Sequence, residues 1–217
     1  ERRLGYEYPF AQLEGVIAKR IASKLDPTEA DSEYFASRRP SFAGRGRLTP
    51  AQRGTATHRF MQYADYSRAC KSVADELTRL TEGGMLTAEE ANAVDARAVA
   101  RFFDSGLYAR MSRAERIYKE YSFTCSVPVS ELYPQLPCGL ADGEVVLIEG
   151  VADCAFVEGG ELVVVDYKTD KASSAAELAE RYGAQLGIYR RCLAEVLGMP
   201  VKETVIYSFR LNESITL

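Results

Sequence analysis

Two aspartates and a lysine in the second half of the chain have the types and spacing of a hydrolytic metal site. Asp153 and Asp166 lie in two apolar runs separated by Gly159-Gly160, a dipeptide that supplies the positive φ angles of a tight hairpin turn. If the glycines form that turn, the two aspartates face each other across the hairpin, with Cβ atoms roughly 4.5–5.5 Å apart. Lys168 follows Asp166 by two positions, so we expect it on the same face of its strand.

This register pairs Glu158 with Glu161 and encloses the aspartates, because residues 154–157 and 162–165 are almost all apolar. Burying two like charges costs several kcal/mol per ion unless a cation compensates them. Carboxylate oxygens are the ligands that Mg²⁺ and Mn²⁺ prefer, so the sequence favours a divalent metal site. The alternative is a surface hairpin in which the aspartates and the lysine form an ion pair, and a one-residue bulge would also change the register.

Length, composition and charge restrict the function classes. The 217 residues are 47% hydrophobic and 27% charged, which is typical of one soluble globular domain. No apolar run approaches the ~18–20 residues of a membrane span, and no signal peptide opens the chain. A start at Glu1 without Met suggests a fragment of a longer protein. The net charge of −4 argues against a broadly basic DNA-binding protein, so any DNA strand would be delivered by another domain or subunit.

The five cysteines are scattered without a C-x-x-C pair: Cys70, Cys125, Cys138, Cys154 and Cys192. This spacing fits neither a disulfide framework nor a zinc or iron–sulfur site. We therefore expect reduced thiols in a cytoplasmic protein that has no iron–sulfur cluster.

The N-terminal segment predicts one helix and a connector. Apolar residues of segment 10–25 fall on one helical stripe, namely Leu13, Val16, Ile17, Ile21 and Leu25. This stripe predicts an amphipathic helix. Residues 26–48 are polar and rich in turn formers, as in a connector, and include Arg38, Arg39, Arg45 and Arg47. These arginines either contact a phosphate backbone or belong to a solvated flexible linker.

Thr49-Pro50 has the hydroxyl cap and the first-turn proline of a helix start. The predicted helix carries His58, the only histidine in the chain. Gly54 lies one turn before His58 on the same face, where the missing side chain lets another backbone or a substrate approach closely. Taken alone, His58 is either a hydrogen-bonded core or surface histidine or a metal ligand.

The rest of the chain predicts more helices, followed by a strand, the hairpin, a helix and a last strand. The segments are helices at 69–82 and 87–104, a strand at 117–129, a loop at 130–143, a helix at 175–197 and a strand at 203–209. This order indicates an α/β fold with a mixed sheet. Glu120 stands in the middle of a predicted strand, where charged residues are disfavoured. It is either a solvent-facing residue of an edge strand or part of the metal site.

Three motifs together resemble the RecB-like branch of the PD-(D/E)xK nucleases. They are RGTATHRF around His58, GVAD with VVVDYKTD at the hairpin, and Q-x-x-x-Y at Gln185 and Tyr189, which alone also fits a polar helix face. Ala152 stands where the family name promises a proline, a departure that is usual in this branch. The segments YEYPF to IASKL and LTPAQRGTATHRFMQ resemble the nuclease regions of AddA-type helicase–nucleases.

The resemblance implies a fold and a domain context. The expected fold is the αβββαβ mixed-sheet core of PD-(D/E)xK nucleases over residues 113–217, flanked by a mainly helical region over residues 1–112. Residues 1–217 would form one nuclease domain of a longer chain that also carries ATP-dependent helicase domains. That chain would act on DNA in a heterodimer with a protein of the AddB type, without a membrane partner.

The resemblance also implies the roles of the metal-site residues. Asp153 and Asp166 would bind Mg²⁺, with Mn²⁺ as a substitute, joined by His58 and by the backbone carbonyl of Tyr167. Lys168 would act with the two aspartates as a catalytic residue, holding the attacking hydroxide or a phosphate oxygen.

Glu120 would be an accessory residue, and Gln185 and Tyr189 would contact DNA. The implied reaction is hydrolysis of single-stranded DNA, specifically of the strand that ends 3′, in double-strand-break repair by recombination. One alternative is a catalytically silent module that acts as a DNA clamp or an AddB-docking surface. Another is a stand-alone Cas4-like or phage exonuclease, but those often carry clustered iron–sulfur cysteines that this chain lacks.

Overall fold

A computed structural model describes residues 16, 18–22, 49–137 and 139–217. The strands in this part of the chain are β1 (Lys19–Ile21), β2 (Arg116–Pro128), β3 (Val145–Glu158), β4 (Glu161–Lys168), β5 (Val201–Ser208) and β6 (Glu213–Thr216). The helices are α1 (Pro50–Tyr63), α2 (Tyr66–Ala69), α3 (Val73–Glu82), α4 (Ala88–Ala93), α5 (Ala96–Phe103), α6 (Gly106–Met111), α7 (Val129–Leu132) and α8 (Ala175–Leu197). The predicted α/β class with a mixed sheet is confirmed.

The long strand β3 is the centre of a six-stranded sheet. Strand β2 pairs antiparallel with residues 145–157 and so occupies one whole edge of β3. The other edge is shared, because β1 pairs in parallel with residues 147–149 and β4 pairs antiparallel with residues 154–158. The sheet continues through β5, parallel to β4, and β6, antiparallel to β5. Residues 150–153 of β3 are therefore left unpaired on this edge, and we call the gap between β1 and β4 the notch.

The β3–β4 hairpin has the predicted turn and register. The two turn glycines have φ angles of +65° and +79°, which a residue with a side chain rarely adopts. Glu158 pairs with Glu161, as predicted, and the paired ladder stops one row before Asp153 and Asp166. The two aspartates thus lie where β3 and β4 separate, at the end of the notch.

The side-chain alternation of β3 breaks at the same row. Ala152, Ala155 and Val157 all pack in the apolar cluster beneath α8, although strict alternation places positions 152 and 155 on opposite faces. Strand β2 is irregular at this level too, since Glu120 has a φ angle of +46° and is unpaired between two paired neighbours. Irregularities of this kind re-aim side chains, and here they affect the row that contains Asp153.

Two apolar clusters cover the two faces of the sheet. On the α1 side, helices α1 to α6 pack on the sheet through buried residues such as Phe60, Phe102 and Val163. On the α8 side, α8 packs through Leu186 on residues that include Val164. Neighbouring residues of β4 therefore face opposite clusters and are fully buried, which agrees with the prediction that both faces of the hairpin are covered.

The predicted helix ends are confirmed where a cap defines them. Thr49 accepts a hydrogen bond from the backbone N–H at the third position of α1 and forms a capping box there. Thr87 and Glu90 form the predicted capping box of α4. Helix α8 spans the predicted residues 175–197. Such caps satisfy backbone N–H groups that the first turn leaves unpaired.

Two predicted helices are divided in the structure. The segment 69–82 belongs to α2 and α3, with the Ser72 side chain capping α3. The helix predicted to end near residue 104 is divided into α4 and α5, where the Asp95 carboxylate caps α5. Each break coincides with a side chain that competes for backbone N–H groups. None of the helices in the described ranges is long and apolar enough to cross a membrane.

The prediction of a helix across residues 10–25 is wrong for its described part. Residues 19–21 form β1, which extends the sheet along the free edge of β3. An apolar stripe cannot report this, because backbone pairing with a distant strand overrides local helix propensity. Two short elements were also not predicted: α7 lies in the expected loop, and β6 follows the expected last strand. The four arginines of the predicted connector, Arg38, Arg39, Arg45 and Arg47, lie outside the described residues.

The expectation that all cysteines are reduced is wrong for one pair. Cys125 on β2 and Cys192 on α8 are joined by a disulfide, with Cα atoms 5.5 Å apart. The two residues are 67 positions apart in sequence, so only the packing of α8 on β2 brings them together. Cys70 and Cys154 are free thiols, exposed and buried respectively, and Cys138 lies outside the described residues.

Candidate metal centre

Three potential ligands from three elements converge beside the notch. His58 lies on α1, Glu120 on β2 and Asp153 on β3, and one ligand atom of each lies within 4.8 Å of the other two. Glu120 and Asp153 occupy the same row of the β2–β3 pair, because the rows on either side join residue 119 to 154 and residue 121 to 152. One imidazole nitrogen and two carboxylates are suitable donors for a divalent cation.

Helix α1 brings His58 to the sheet because a glycine permits a close approach. A Cβ atom at Gly54 would lie only 2.9 Å from the Oγ1 atom of Thr169, which directly follows β4. The opposite face of α1 is anchored in the apolar cluster by Phe60 and Met61, which are almost fully buried. The predicted close approach at Gly54 is present, and the approaching group is the Thr169 side chain.

His58 and Asp153 are in direct contact. The Nδ1 atom of His58 lies 3.2 Å from Asp153 Oδ1. Burial by itself would lower the pKa of His58, but the charge of Asp153 and the hydrogen bond to it outweigh burial and raise the pKa to about 9. Burial would raise the pKa of Asp153, but His58 outweighs it and holds this pKa below its usual value. The second oxygen of Asp153 accepts a hydrogen bond of 2.7 Å from the backbone N–H of Tyr167.

Glu120 faces this pair and has no compensating partner. Its backbone lies in the left-handed region, which costs about 1–2 kcal/mol for a residue with a side chain. Among the described residues it forms no hydrogen bond or ion pair, and burial, followed by the charge of Asp153, raises the pKa of its carboxyl to about 7. Of the two interpretations of Glu120, its position fits a member of the site better than a solvent-facing residue.

Asp166 and Lys168 form a second group on the α8 side. The Nζ atom of Lys168 lies 3.1 Å from Asp166 Oδ2, and this buried oxygen lacks the alignment of a hydrogen bond to any group in the described part of the chain. Burial raises the pKa of Asp166 to about 6, although the charge of Lys168 opposes this. Burial would lower the pKa of Lys168, but the charges of Asp166 and Asp153 outweigh it and raise the pKa.

The remaining predicted site residues have mixed surroundings. The side chain of Tyr167 turns away into the α1-side cluster, where its hydroxyl lies 3.3 Å from that of Tyr66, so only its backbone faces the site. Gln185 donates a hydrogen bond of 3.0 Å to the Tyr189 hydroxyl. The ring of Tyr189 is buried edge-on against Phe123. Of this pair, Gln185 is the partly exposed member.

A family model described as the PD-(D/E)XK nuclease superfamily matches residues 32–215. The chain belongs to this superfamily. The resemblance carried by the sequence motifs is thereby confirmed at the level of the superfamily, and its members use divalent metals.

Curated relatives that are named as AddA proteins of ATP-dependent helicase/nucleases resemble almost the whole chain. The protein of Geobacillus thermodenitrificans is 33% identical and that of Clostridium kluyveri 32% identical, each over 96% of this chain. The protein of Desulforamulus reducens is 33% identical over 99% of it. The chain spans 18% of the length of each of these relatives. The predicted AddA-type similarity is therefore confirmed.

The donor set of this superfamily member fits a divalent cation. Three carboxylates (Glu120, Asp153 and Asp166) lie in one row across β2, β3 and β4, with His58 and Lys168 as their nearby basic groups. An unpartnered glutamate and a buried carboxylate oxygen without an aligned donor cost free energy unless a cation binds there. Hard carboxylate oxygens with one imidazole nitrogen match the preferences of Mg²⁺ and Mn²⁺.

Two neighbours of the site were not predicted from the sequence. Lys119 donates a hydrogen bond of 2.5 Å to the carbonyl of Ala64, which caps the end of α1, and its Nζ atom lies 4.1 Å above the Tyr66 ring. It thus ties β2 to α1 next to Glu120. Tyr182 contacts Lys168 from α8. A basic residue beside Glu120 was the one local signal for Lys119, whereas Tyr182 precedes the Q-x-x-x-Y motif and gave no signal of its own.

Proposed function

We propose that this chain is the metal-dependent nuclease domain of an AddA-type helicase–nuclease and hydrolyses phosphodiester bonds of single-stranded DNA. The observation that carries the proposal is the convergence of His58, Glu120 and Asp153 within 4.8 Å, beside the buried Asp166–Lys168 pair. Structural ion pairs rarely leave a carboxylate unpartnered in such a cluster, whereas a metal site requires one.

In this proposal His58, Asp153 and Asp166 hold Mg²⁺, or Mn²⁺ in its place, together with the carbonyl of Tyr167. Glu120 serves as an accessory ligand or orients a water molecule. When bound, the cation lowers the pKa of a coordinated water and offsets the charge that develops on the phosphate.

Lys168 supplies the catalytic charge that belongs to the chain itself. Its ammonium remains protonated because the surrounding carboxylates raise its pKa, so it can hold a hydroxide or a phosphate oxygen but does not act as a base. Asp166 fixes one side of this ammonium at 3.1 Å. Gln185 is the partly exposed member of its hydrogen-bonded pair and is suited to contact the DNA strand, with Tyr189 supporting it from below.

The wider context is also proposed from the relatives. We infer that residues 1–112 and 113–217 are the helical region and the nuclease core of one domain, and that helicase domains lie in the same parent chain. A protein of the AddB type would be the partner in the cytoplasm, and the strand ending 3′ would be the substrate in recombinational repair. The acidic balance of the chain, with a net charge of −4, supports delivery of DNA by other domains.

The test combines calorimetric titration of Mn²⁺ with digestion of single-stranded DNA by the same chain. We expect the parent to bind Mn²⁺ and to cleave, Asp153→Ala to lose metal binding, and Asp166→Ala to lose cleavage. Glu89→Ala removes an exposed carboxylate from α4 and serves as the matched control. Circular dichroism in EDTA verifies that each variant is folded.

Each failure has a distinct meaning. Full cleavage by Asp166→Ala contradicts the assignment of the site. A chain that binds Mn²⁺ only at the control level and binds DNA without cleaving it supports the silent clamp instead. Products released from 5′ ends would contradict the proposed polarity while leaving the nuclease assignment in place.

A further inference from the structure

The ammonium group of Lys168 is held from two directions. One is the Asp166 carboxylate at 3.1 Å, and the other is the face of the Tyr182 ring, whose centroid lies 3.9 Å from Nζ. The Lys168 side chain is only 15% exposed and the Tyr182 residue 4%. A cation over an aromatic face is attracted by the ring quadrupole, and more strongly where both are desolvated.

Tyr182 is itself fixed by a network of polar contacts at the start of α8. Its hydroxyl donates a hydrogen bond to the carboxylate of Asp170, two residues after Lys168. The same carboxylate lies 3.5 Å from Arg181 Nη1, and Arg181 Nη2 lies 2.7 Å from Glu177. Every charge in this network therefore has an opposite partner, which favours one fixed orientation of the Tyr182 ring.

A lysine needs such support because its flexible stem and compact charge permit several positions. Two negative carboxylates, Asp153 and Asp166, attract the Lys168 ammonium. Charge attraction alone does not select between them, since it depends on distance and not on direction. A ring that covers one face of the ammonium removes the alternative positions and leaves a single direction open for a bound group.

We propose that Tyr182 is a positioning residue that orients the Lys168 ammonium for catalysis, and that Asp170 fixes Tyr182 through its hydroxyl. This inference rests on the proposed function of Lys168. It assigns no contact between Tyr182 and DNA or metal. The effect of removing the ring should therefore fall on turnover and leave metal binding and substrate affinity nearly unchanged.

The experiment uses the full chain with three variants and one control. Tyr182→Leu removes the ring, Tyr182→Phe keeps the ring and removes the hydroxyl, and Asp170→Asn weakens the acceptor. Tyr207→Phe removes another buried hydroxyl, which bonds to Asn212 on the α1 side, and serves as the control. For each we would measure kcat and KM for single-stranded DNA, the Mn²⁺ affinity, and the ring-current shift of the Lys168 ε-protons by NMR.

We expect Tyr182→Leu to lower kcat by about 10–100-fold, the range typical of residues that orient a metal site's reacting groups. KM and the Mn²⁺ affinity should stay near the parent values. Tyr182→Phe should restore most of kcat and keep the upfield ring-current shift, and Asp170→Asn should lie between Tyr182→Phe and Tyr182→Leu. Tyr207→Phe should behave like the parent.

An active parent whose Tyr182→Leu variant retains the parental kcat overturns this inference alone. So does a Lys168 ε-proton shift that is the same with and without the ring. A parent chain that is folded and binds DNA but does not cleave it overturns the proposed function, and this inference with it.

Discussion

The α1 side and the α8 side of the active row differ in how their charges are balanced. On the α8 side each carboxylate has a cation: Asp166 pairs with Lys168, and Asp170 contacts Arg181. On the α1 side, Glu120 and Asp153 share His58, and Glu120 has no ion-pair partner among the described residues. One side is electrostatically complete and the other is one cation short.

The backbone shows the same difference. Glu120 has a φ angle of +46° and interrupts the pairing of β2 with β3, whereas Asp166 and Lys168 lie in regular pairing with β5. Strained backbone persists where the surrounding structure imposes it, often at functional sites. The comparison indicates that the α1 side is built to bind a cation and the α8 side to present one. Four sets of variants test this division of roles.

The largest effect should come from exchanging losses between the two sides. Lys168→Met should lower the rate of DNA cleavage by about 10²–10³-fold, comparable to the loss of one preorganised charge-stabilising group, while Mn²⁺ still binds. Glu120→Gln should weaken Mn²⁺ binding first, and excess metal should restore part of its activity. Calorimetry and a cleavage assay on both variants measure the two losses. Loss of Mn²⁺ binding in Lys168→Met would contradict the division.

The second prediction concerns pH. Folding raises the pKa of His58 from 6.5 to about 9, so its pair with Asp153 stabilises the metal-free protein fully below pH 6.5 and is lost as the pH rises through 9. A metal ligand must be unprotonated, so Mn²⁺ affinity should rise by about tenfold per pH unit over the same window. Thermal melts in EDTA and titrations at several pH values measure these opposite trends. An affinity that does not change between pH 6.5 and 9 would contradict the contact of His58 with the site.

The third prediction concerns the approach of α1 to the sheet. Gly54→Ala places a Cβ against Thr169 Oγ1 and should lower the free energy of unfolding by about 1–3 kcal/mol, with weaker Mn²⁺ binding because His58 moves. The double variant Gly54→Ala, Thr169→Ala removes the clash and should recover both properties. Denaturant unfolding and calorimetry measure them, with Thr169→Ala alone as the control. Failure of the double variant to recover would show that another contact limits α1.

The smallest effect concerns the backbone at Glu120. In EDTA, Glu120→Gly should be more stable than Glu120→Ala by about 1 kcal/mol, because only glycine adopts this φ angle without cost. Both variants lose the carboxylate, so both should bind Mn²⁺ more weakly than the parent. Urea unfolding of the two variants under identical conditions gives the difference. If alanine were the more stable residue, the strain on the α1 side would be absent.

Local chemistry in the sequence predicted the α8 side well. The Gly159-Gly160 turn, the pairing of Glu158 with Glu161 and the span of α8 all follow from residue type and period, and the structure has them. Lys168 was expected beside Asp166 because two positions along a strand share a face, and the two side chains meet. These relations extend over a few residues, where backbone geometry alone fixes which groups are neighbours.

The α1 side depended on tertiary structure. His58 and Asp153 are 95 positions apart, and only the family resemblance suggested that they meet. The position of Glu120 stayed open because an irregular row in two strands, and not the alternation of the sequence, turns its carboxylate toward the site. The same limit explains β1, which was predicted as helix, and the bond between Cys125 and Cys192. Local sequence specifies short-range geometry, whereas contacts between distant elements are decided by how the packed layers fit together.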